Sequence, residues 1–308
     1  MQIKNYLTPL FPPPLRPALQ TTIVVIFIAN EESSATSGIG VDKLSEEGYM
    51  DSLRAGPVFW VDSADAEPCV GTSGVLQWQL DVNGKLFHSG LPHHGINSIE
   101  MGFDVIHYIQ KKFYSRFPKH DLEDAYNFRS CSTLKATQVE TSVGSLNQLP
   151  AKCTLRGDVR LSPFYDIADV RLFLEECVRD INNDPESIDS KLHGPHSKYE
   201  LPEENIKGNV QLTFISPGEN GIACSLESPG YKAIVEATRA VSGSVKPYSM
   251  GGFLPLVRDL KDKGFDVQIC GFGQSDRYHA NNESASLAGF HKAAKIIAKV
   301  CYSFHSNQ

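Results

Sequence analysis

Between Thr21 and Ser34 the chain reads TTIVVIFIANEESS, a run of β-branched and apolar residues that ends on two adjacent carboxylates, Glu31 and Glu32. Residues 22–29 show no polar alternation, the pattern of a parallel strand covered by helices on both faces. In open parallel sheets ligands bind beyond the carboxyl ends of the strands. The expectation is a buried parallel strand that delivers Glu31 and Glu32 to a site. A second short apolar strand, PVFWVDSAD from Pro57 to Asp65, ends likewise in acids, Asp62 and Asp65.

From about Gly74 the texture changes. VLQWQLDVNGKLFHSG alternates apolar and polar residues and carries an Asn-Gly turn signal, so antiparallel strands with one solvated face are expected. Apolar positions at helical spacing then run through SIEMGFDVIHYIQKKFYSRF. The strands STLKATQVET and KCTLRGDVRLSP follow, joined through GSLNQLP, and an amphipathic helix is expected over about 165–183. This order predicts an α+β, split βαβ domain of ferredoxin-like type. With its connector it occupies residues 75–214, inserted into an α/β domain made of 21–74 and 215–308. That larger domain is expected to have a mostly parallel sheet with helices on both faces. Its predicted elements are helices near 40–47, 229–241, 254–263 and 284–301 and a strand at DVQICGFG. Residues 1–20, with Pro9, Pro12, Pro13, Pro14 and Pro17, predict an irregular tail.

Charge narrows the partners. Lys plus Arg total 29 against 36 for Asp plus Glu, a net charge of -7, which gives no electrostatic footprint for nucleic acid or an anionic membrane. No apolar run reaches the length of a membrane span, and the first twenty residues lack the uninterrupted apolar core of a secretory signal. The seven cysteines are scattered, odd in number and free of any Cys-x-x-Cys pair. Reduced thiols in the cytoplasm or another reducing intracellular compartment are therefore expected.

Two neighbouring carboxylates can divide the labour of a hydrolase: one binds a cation while the other accepts the proton of the attacking water. Glu31 and Glu32 are placed for that division. Asp62 ends the second strand, His279 follows a late strand in GFGQSDRYHANNES, and His88 ends an antiparallel strand before a turn and a helix. Taken singly, each also reads as a loop acid, a helix cap or a surface histidine. Their ordered set is far more specific than any member.

In order and spacing, FIANEESS, WVDSADAEPCVGTSG, GKLFHSGLPHHGINSIE, LNQLPAKCTLRGDVRLSPF and the GFG…YHANNE segment resemble the metal-dependent aminoacylase and carboxypeptidase family. The resemblance runs from Thr21 to the C terminus. It implies Glu31 as general base, Glu32 as a ligand of the second metal, and His279 as the C-terminal metal ligand. His88 would be the lid histidine that crosses a homodimer interface to stabilise the oxyanion. Asn147 and Arg160 match positions near the substrate's polar groups. The implied cofactors are two Zn2+ or Co2+ ions per protomer. The implied substrate is a small-molecule N-acyl amino acid, namely acetylornithine, cleaved to acetate and ornithine in arginine biosynthesis. For the remaining ligand, Glu67-Pro68 imitates the family's Gly-Glu-Pro, but counting the family's spacing of about twelve residues back from Gly74 falls on Asp62.

The pattern departs from the family upstream of Glu31. The family carries two further ligands there, a His in a His-x-Asp motif and a bridging Asp. No His-x-Asp occurs in the sequence, and no histidine precedes His88. The expectation is an N-terminally truncated relative with impaired activity. Two alternatives stay open: a catalytically silent dimeric module that binds a cationic amino acid, and a related hydrolase acting on another N-acyl amino acid or a dipeptide.

Overall fold

The computed structural model describes residues 21–29, 31, 38–62, 65–188, 196–277 and 280–304. In chain order these form α1 (Val41–Glu46), β1 (Pro57–Val61), β2 (Pro68–Thr72), β3 (Gly74–Asn83), β4 (Phe87–His88) and α2 (Ser98–Arg116). Next come β5 (Thr133–Thr141), β6 (Gln148–Leu149), β7 (Lys152–Leu161), α3 (Ile167–Asn183), β8 (Glu200–Leu201), β9 (Ile206–Lys207) and β10 (Asn209–Phe214). The last are α4 (Pro229–Ser242), β11 (Tyr248–Met250), α5 (Val257–Asp262), β12 (Asp266–Cys270) and α6 (Leu287–Ser303). They fall into two units, one of Thr72–Gly221 with Gly251–Phe253, the other of the flanking chain.

The inserted unit follows from local pattern. Strict alternation in β3 buries Leu76, Trp78, Leu80 and Val82 and leaves Gln77, Gln79 and Asp81 on the opposite face. The Asp166 side chain accepts the Ala168 N–H at 2.8 Å and starts α3. That helix buries Ile167, Val170, Phe173, Leu174, Cys177, Val178 and Ile181, one stripe at helical spacing. Helix α2, capped by Asn97, buries Met101, Val105, Ile109 and Phe113 in the same core. The sheet order β10-β3-β7-β5 is antiparallel throughout. With α2 and α3 inserted in the chain it makes the βαββαβ order of a ferredoxin-like unit. Gly157 is required at its centre: a Cβ there would lie 1.9 Å from the Lys135 carbonyl oxygen and 2.6 Å from Trp78. A bulge between Ala136 and Gln138 adjusts β5 beside it.

The Asn-Gly signal marks something other than a hairpin. Gly84 ends β3 in close approach to Ile96, where a Cβ would meet its carbonyl oxygen at 2.3 Å. The next short strand, β4, pairs with β6 and not with β3.

In the flanking unit, β1 runs parallel to β12, β12 is antiparallel to β2, and the sheet order is β1-β12-β2-β11. A small core of Val41, Met50, Trp60, Cys69, Ile222, Cys224, Val257, Leu260, Phe265, Val267 and Ile269 lies against it. A second cluster joins α4, α6 and β12 through Ala233, Ile234, Ala237, Cys270, Ile296 and Val300. Helix α5 is shorter than expected because Leu256 adopts the left-handed conformation, φ 67°, immediately before it.

The expected buried strand at 22–29 is not formed. Residues 22–28 have no regular secondary structure, and Val24, Val25 and Ile26 are exposed, as is Phe27 at 92%. Ile28 packs against the small core. A β-branched run becomes a buried strand only when a ladder partner satisfies its backbone and both faces are covered. Among the described residues no strand pairs with this one.

Candidate active site

Parallel pairing of β1 and β12 brings two strand carboxyl ends together. The register closes with Val61 opposite Cys270, and the Asp62 N–H then donates to the Cys270 carbonyl at 2.9 Å. Asp62 therefore stands at the crevice end of both strands, exposed, and its carboxylate accepts the Trp60 indole N–H at 3.3 Å. Trp60 and Asp62 are two residues apart along the chain, the spacing at which side chains on a strand share a face, so their contact had a sequence signal. Glu67, the competing acid, is engaged elsewhere: it accepts the Lys246 backbone N–H at 2.8 Å.

Glu31 is half-buried. Glu32 and His279 lie outside the described residues. Among the described residues no group of three or more His, Cys, Asp or Glu side chains is arranged to hold a metal ion. The thiols near the strand ends offer no substitute. Burial pushes Cys69, Cys224 and Cys270 up to about 12, which disfavours the thiolate at neutral pH.

In the inserted unit the structure brings His88 and Asn147 together. His88 sits opposite Gln148 in the β4–β6 ladder, and the Ser89 N–H donates to the Asn147 carbonyl at 2.9 Å. Both residues are exposed. The Leu91 N–H closes a tight turn on the His88 carbonyl at 2.9 Å, and the Gly90 N–H donates to His88 Nδ1 at 3.0 Å. Arg160 does not join them. It lies at the other end of β7, eight residues or about 26 Å beyond Lys152. Its guanidinium pairs with Asp158 at 2.8 Å.

Residues 70–185 match the peptidase dimerisation domain family. Over 289 residues the chain is 47% identical to the acetylornithine deacetylase of Arabidopsis thaliana, covering 92% of this chain and 65% of that protein. The chain is a relative of the acetylornithine deacetylases. It is 42% identical to the Dictyostelium discoideum acetylornithine deacetylase over 288 residues, 92% of this chain and 64% of that one. This relative of the deacetylases thus spans just under two thirds of the length of the curated proteins it matches. Its fold is that of an M20 family metallo-carboxypeptidase from Sulfolobus solfataricus, with a TM-score of 0.58 at 18% identity, over 88% of this chain and 68% of that structure.

Proposed function

We propose that the chain carries the site of a metal-dependent amidohydrolase that cleaves N2-acetylornithine to ornithine and acetate. The observation that carries this reading is the 47% identity to an acetylornithine deacetylase, which extends over 92% of the chain and so through both units. Glu31 is the general base: its carboxylate takes the proton of the attacking water and returns it to the leaving amine. His88 of one protomer donates to the oxyanion that develops in its partner, and Asn147, tied to the same ladder, contacts the substrate beside it. Arg160, at the far end of β7, meets a polar group of the substrate. The match of residues 70–185 to a dimerisation domain supports the homodimer this requires.

Glu32, Asp62 and His279 are the proposed metal ligands, for zinc or cobalt. Oxygen and imidazole donors suit either ion. Asp62 is the one proposed ligand among the described residues, whereas catalytic zinc takes about three protein ligands. No catalytic step is therefore drawn through the metal. Free thiols at all seven cysteines support a reducing intracellular compartment. Among the described residues no helix is long and apolar enough to cross a membrane.

The decisive experiment measures metal content and acetate release from acetylornithine on the purified chain and on Glu31→Ala. Turnover that falls by at least about 10²-fold in the variant supports the reading. The alternative reading is a silent module that binds ornithine. Calorimetric binding of ornithine with no acetate release in any metal is the result that selects it.

A further inference from the structure

The turn after β4 contains a feature that neither the family match nor the proposed reaction assigns. Gly90 donates its backbone N–H to Nδ1 of His88, two residues back, at 3.0 Å. A backbone amide only donates, so Nδ1 is held as an acceptor and the neutral ring carries its proton on Nε2. The bond also fixes the ring plane, because Nδ1 must point into the turn. The turn is itself pinned twice, by Leu91 N–H to the His88 carbonyl and by Ser89 N–H to the Asn147 carbonyl, each at 2.9 Å. Space is equally specific. A Cβ on Gly90 would lie 3.2 Å from both Cε1 and Nδ1 of His88, so a larger residue there would push the ring back by a few tenths of an ångström.

We infer that Gly90 is a positioning residue, which locks His88 in the Nε2–H tautomer and presents that N–H outward from the exposed end of β4 as a ready donor. The inference rests on the reading of His88 as an oxyanion donor for its functional importance, but the lock itself does not. An oxyanion requires a donor already aimed and protonated, since reorienting it during the reaction costs part of its benefit. With Nδ1 protonated instead, Nε2 would be an acceptor and would repel the developing charge.

The test uses the full chain labelled with 15N-histidine, with His88→Gln assigning the His88 signals. Long-range proton–nitrogen correlation on the unsubstituted chain at mildly alkaline pH is expected to show a pyrrole-like Nε2 and a pyridine-like Nδ1. Gly90→Pro removes the N–H and is expected to bring a measurable Nδ1–H population. Gly90→Ala keeps the N–H but crowds the ring, and is expected to keep the tautomer while shifting the Nδ1 resonance. A protonated Nδ1 in the unsubstituted chain overturns the inference, and so does a folded Gly90→Pro with unchanged nitrogen shifts. If Gly90→Pro does not fold, the unsubstituted spectrum and Gly90→Ala still decide. In turnover, Gly90→Pro is expected to lower kcat several-fold with KM little changed. If the tautomer is as stated but His88→Gln leaves kcat intact, the oxyanion role fails while the lock stands.

Discussion

The inserted unit and the unit that flanks it are built from the same kinds of residue but differ in how their strands are supported. In the insert, β3 has a neighbour on each edge, β7 and β10, and Leu76, Leu80, Val82 and Phe113 are fully enclosed. In the flanking unit the core is divided into two smaller clusters, and among the described residues the apolar run at 22–28 has no strand partner, with Phe27 exposed. The lesson concerns what makes a strand. The run at 22–28 is as apolar as β3 or β12, but only the strands with ladder partners in register convert that composition into burial. The insert should therefore unfold as the more cooperative unit.

Phe113→Ala tests this most severely. Phe113 packs on Phe117 and Phe173 at ring-centroid distances of 5.1 and 6.1 Å and is fully buried. Its loss should cost the insert about 3–5 kcal/mol. Urea unfolding followed by thiol labelling separates the units, because Cys153 and Cys177 report on the insert and Cys69, Cys224 and Cys270 on the flanking unit. Earlier exposure of the first pair alone is expected. Equal exposure of both sets would show that the units unfold together.

Alkaline pH should weigh more on the flanking unit. Burial holds Cys69, Cys224 and Cys270 at about 12, above their ordinary 9.0. Among the insert's thiols Cys177 is raised as far, with Cys153 and Cys131 raised as well, and the Tyr199 phenol is raised too. A raised folded-state pKa means that the folded state holds the proton longer. Its contribution is complete below about pH 9 and is lost as pH rises toward 12. The flanking unit, with three such thiols, should therefore lose more stability than the insert as pH rises above 9. Calorimetry from pH 8 to pH 11 checks this, and a flanking unit that loses no more than the insert by pH 11 refutes it.

The same contrast explains what was legible in the sequence. Strands β3 and β7 and helices α2 and α3 could be read because alternation and helical spacing are local properties, and in the insert the partners they need are present. The strand end before Asp62 was legible because the apolar run of β1 stops at Val61. The pairing of β4 with β6 was not, since it joins Phe87 to Leu149 across sixty residues of chain, and no local pattern encodes a two-residue ladder. The proximity of His88 and Asn147 depends on that ladder. The run at 22–29 misled for the converse reason: its composition is that of a buried strand, and composition does not supply the neighbour. A residue's place at a strand end is thus a local property of the sequence, whereas the meeting of two distant segments is not.

A smaller effect is expected at the connector of the insert. Tyr199 is fully buried, and its hydroxyl meets the Asp104 carboxylate on α2 at 2.5 Å, while Glu186 accepts the backbone N–H groups of Tyr199 and Glu200. Tyr199→Phe removes a charge-assisted hydrogen bond and should cost about 1–3 kcal/mol, read in the same urea experiment. Burial and the neighbouring Asp104 raise the Tyr199 phenol above its ordinary 10.0, so this bond persists until strongly alkaline pH. A loss below about 0.5 kcal/mol would mean that α2 holds the connector by packing alone.

The smallest effect on stability is the most informative about the comparison. Replacing Val24 and Ile26 by Thr and Phe27 by Ser leaves the described cores untouched, because these side chains are exposed whereas Ile28, which packs inward, is retained. Exposed substitutions of this kind shift stability by no more than about 0.5 kcal/mol. An unpaired apolar run is also a template for association, so the triple variant should stay monodisperse at higher concentration than the original chain. Light scattering alongside urea unfolding reads both quantities. A cost above about 2 kcal/mol would show that residues 22–28 are buried in solution, and the difference between the two units would then lie in packing and not in strand pairing.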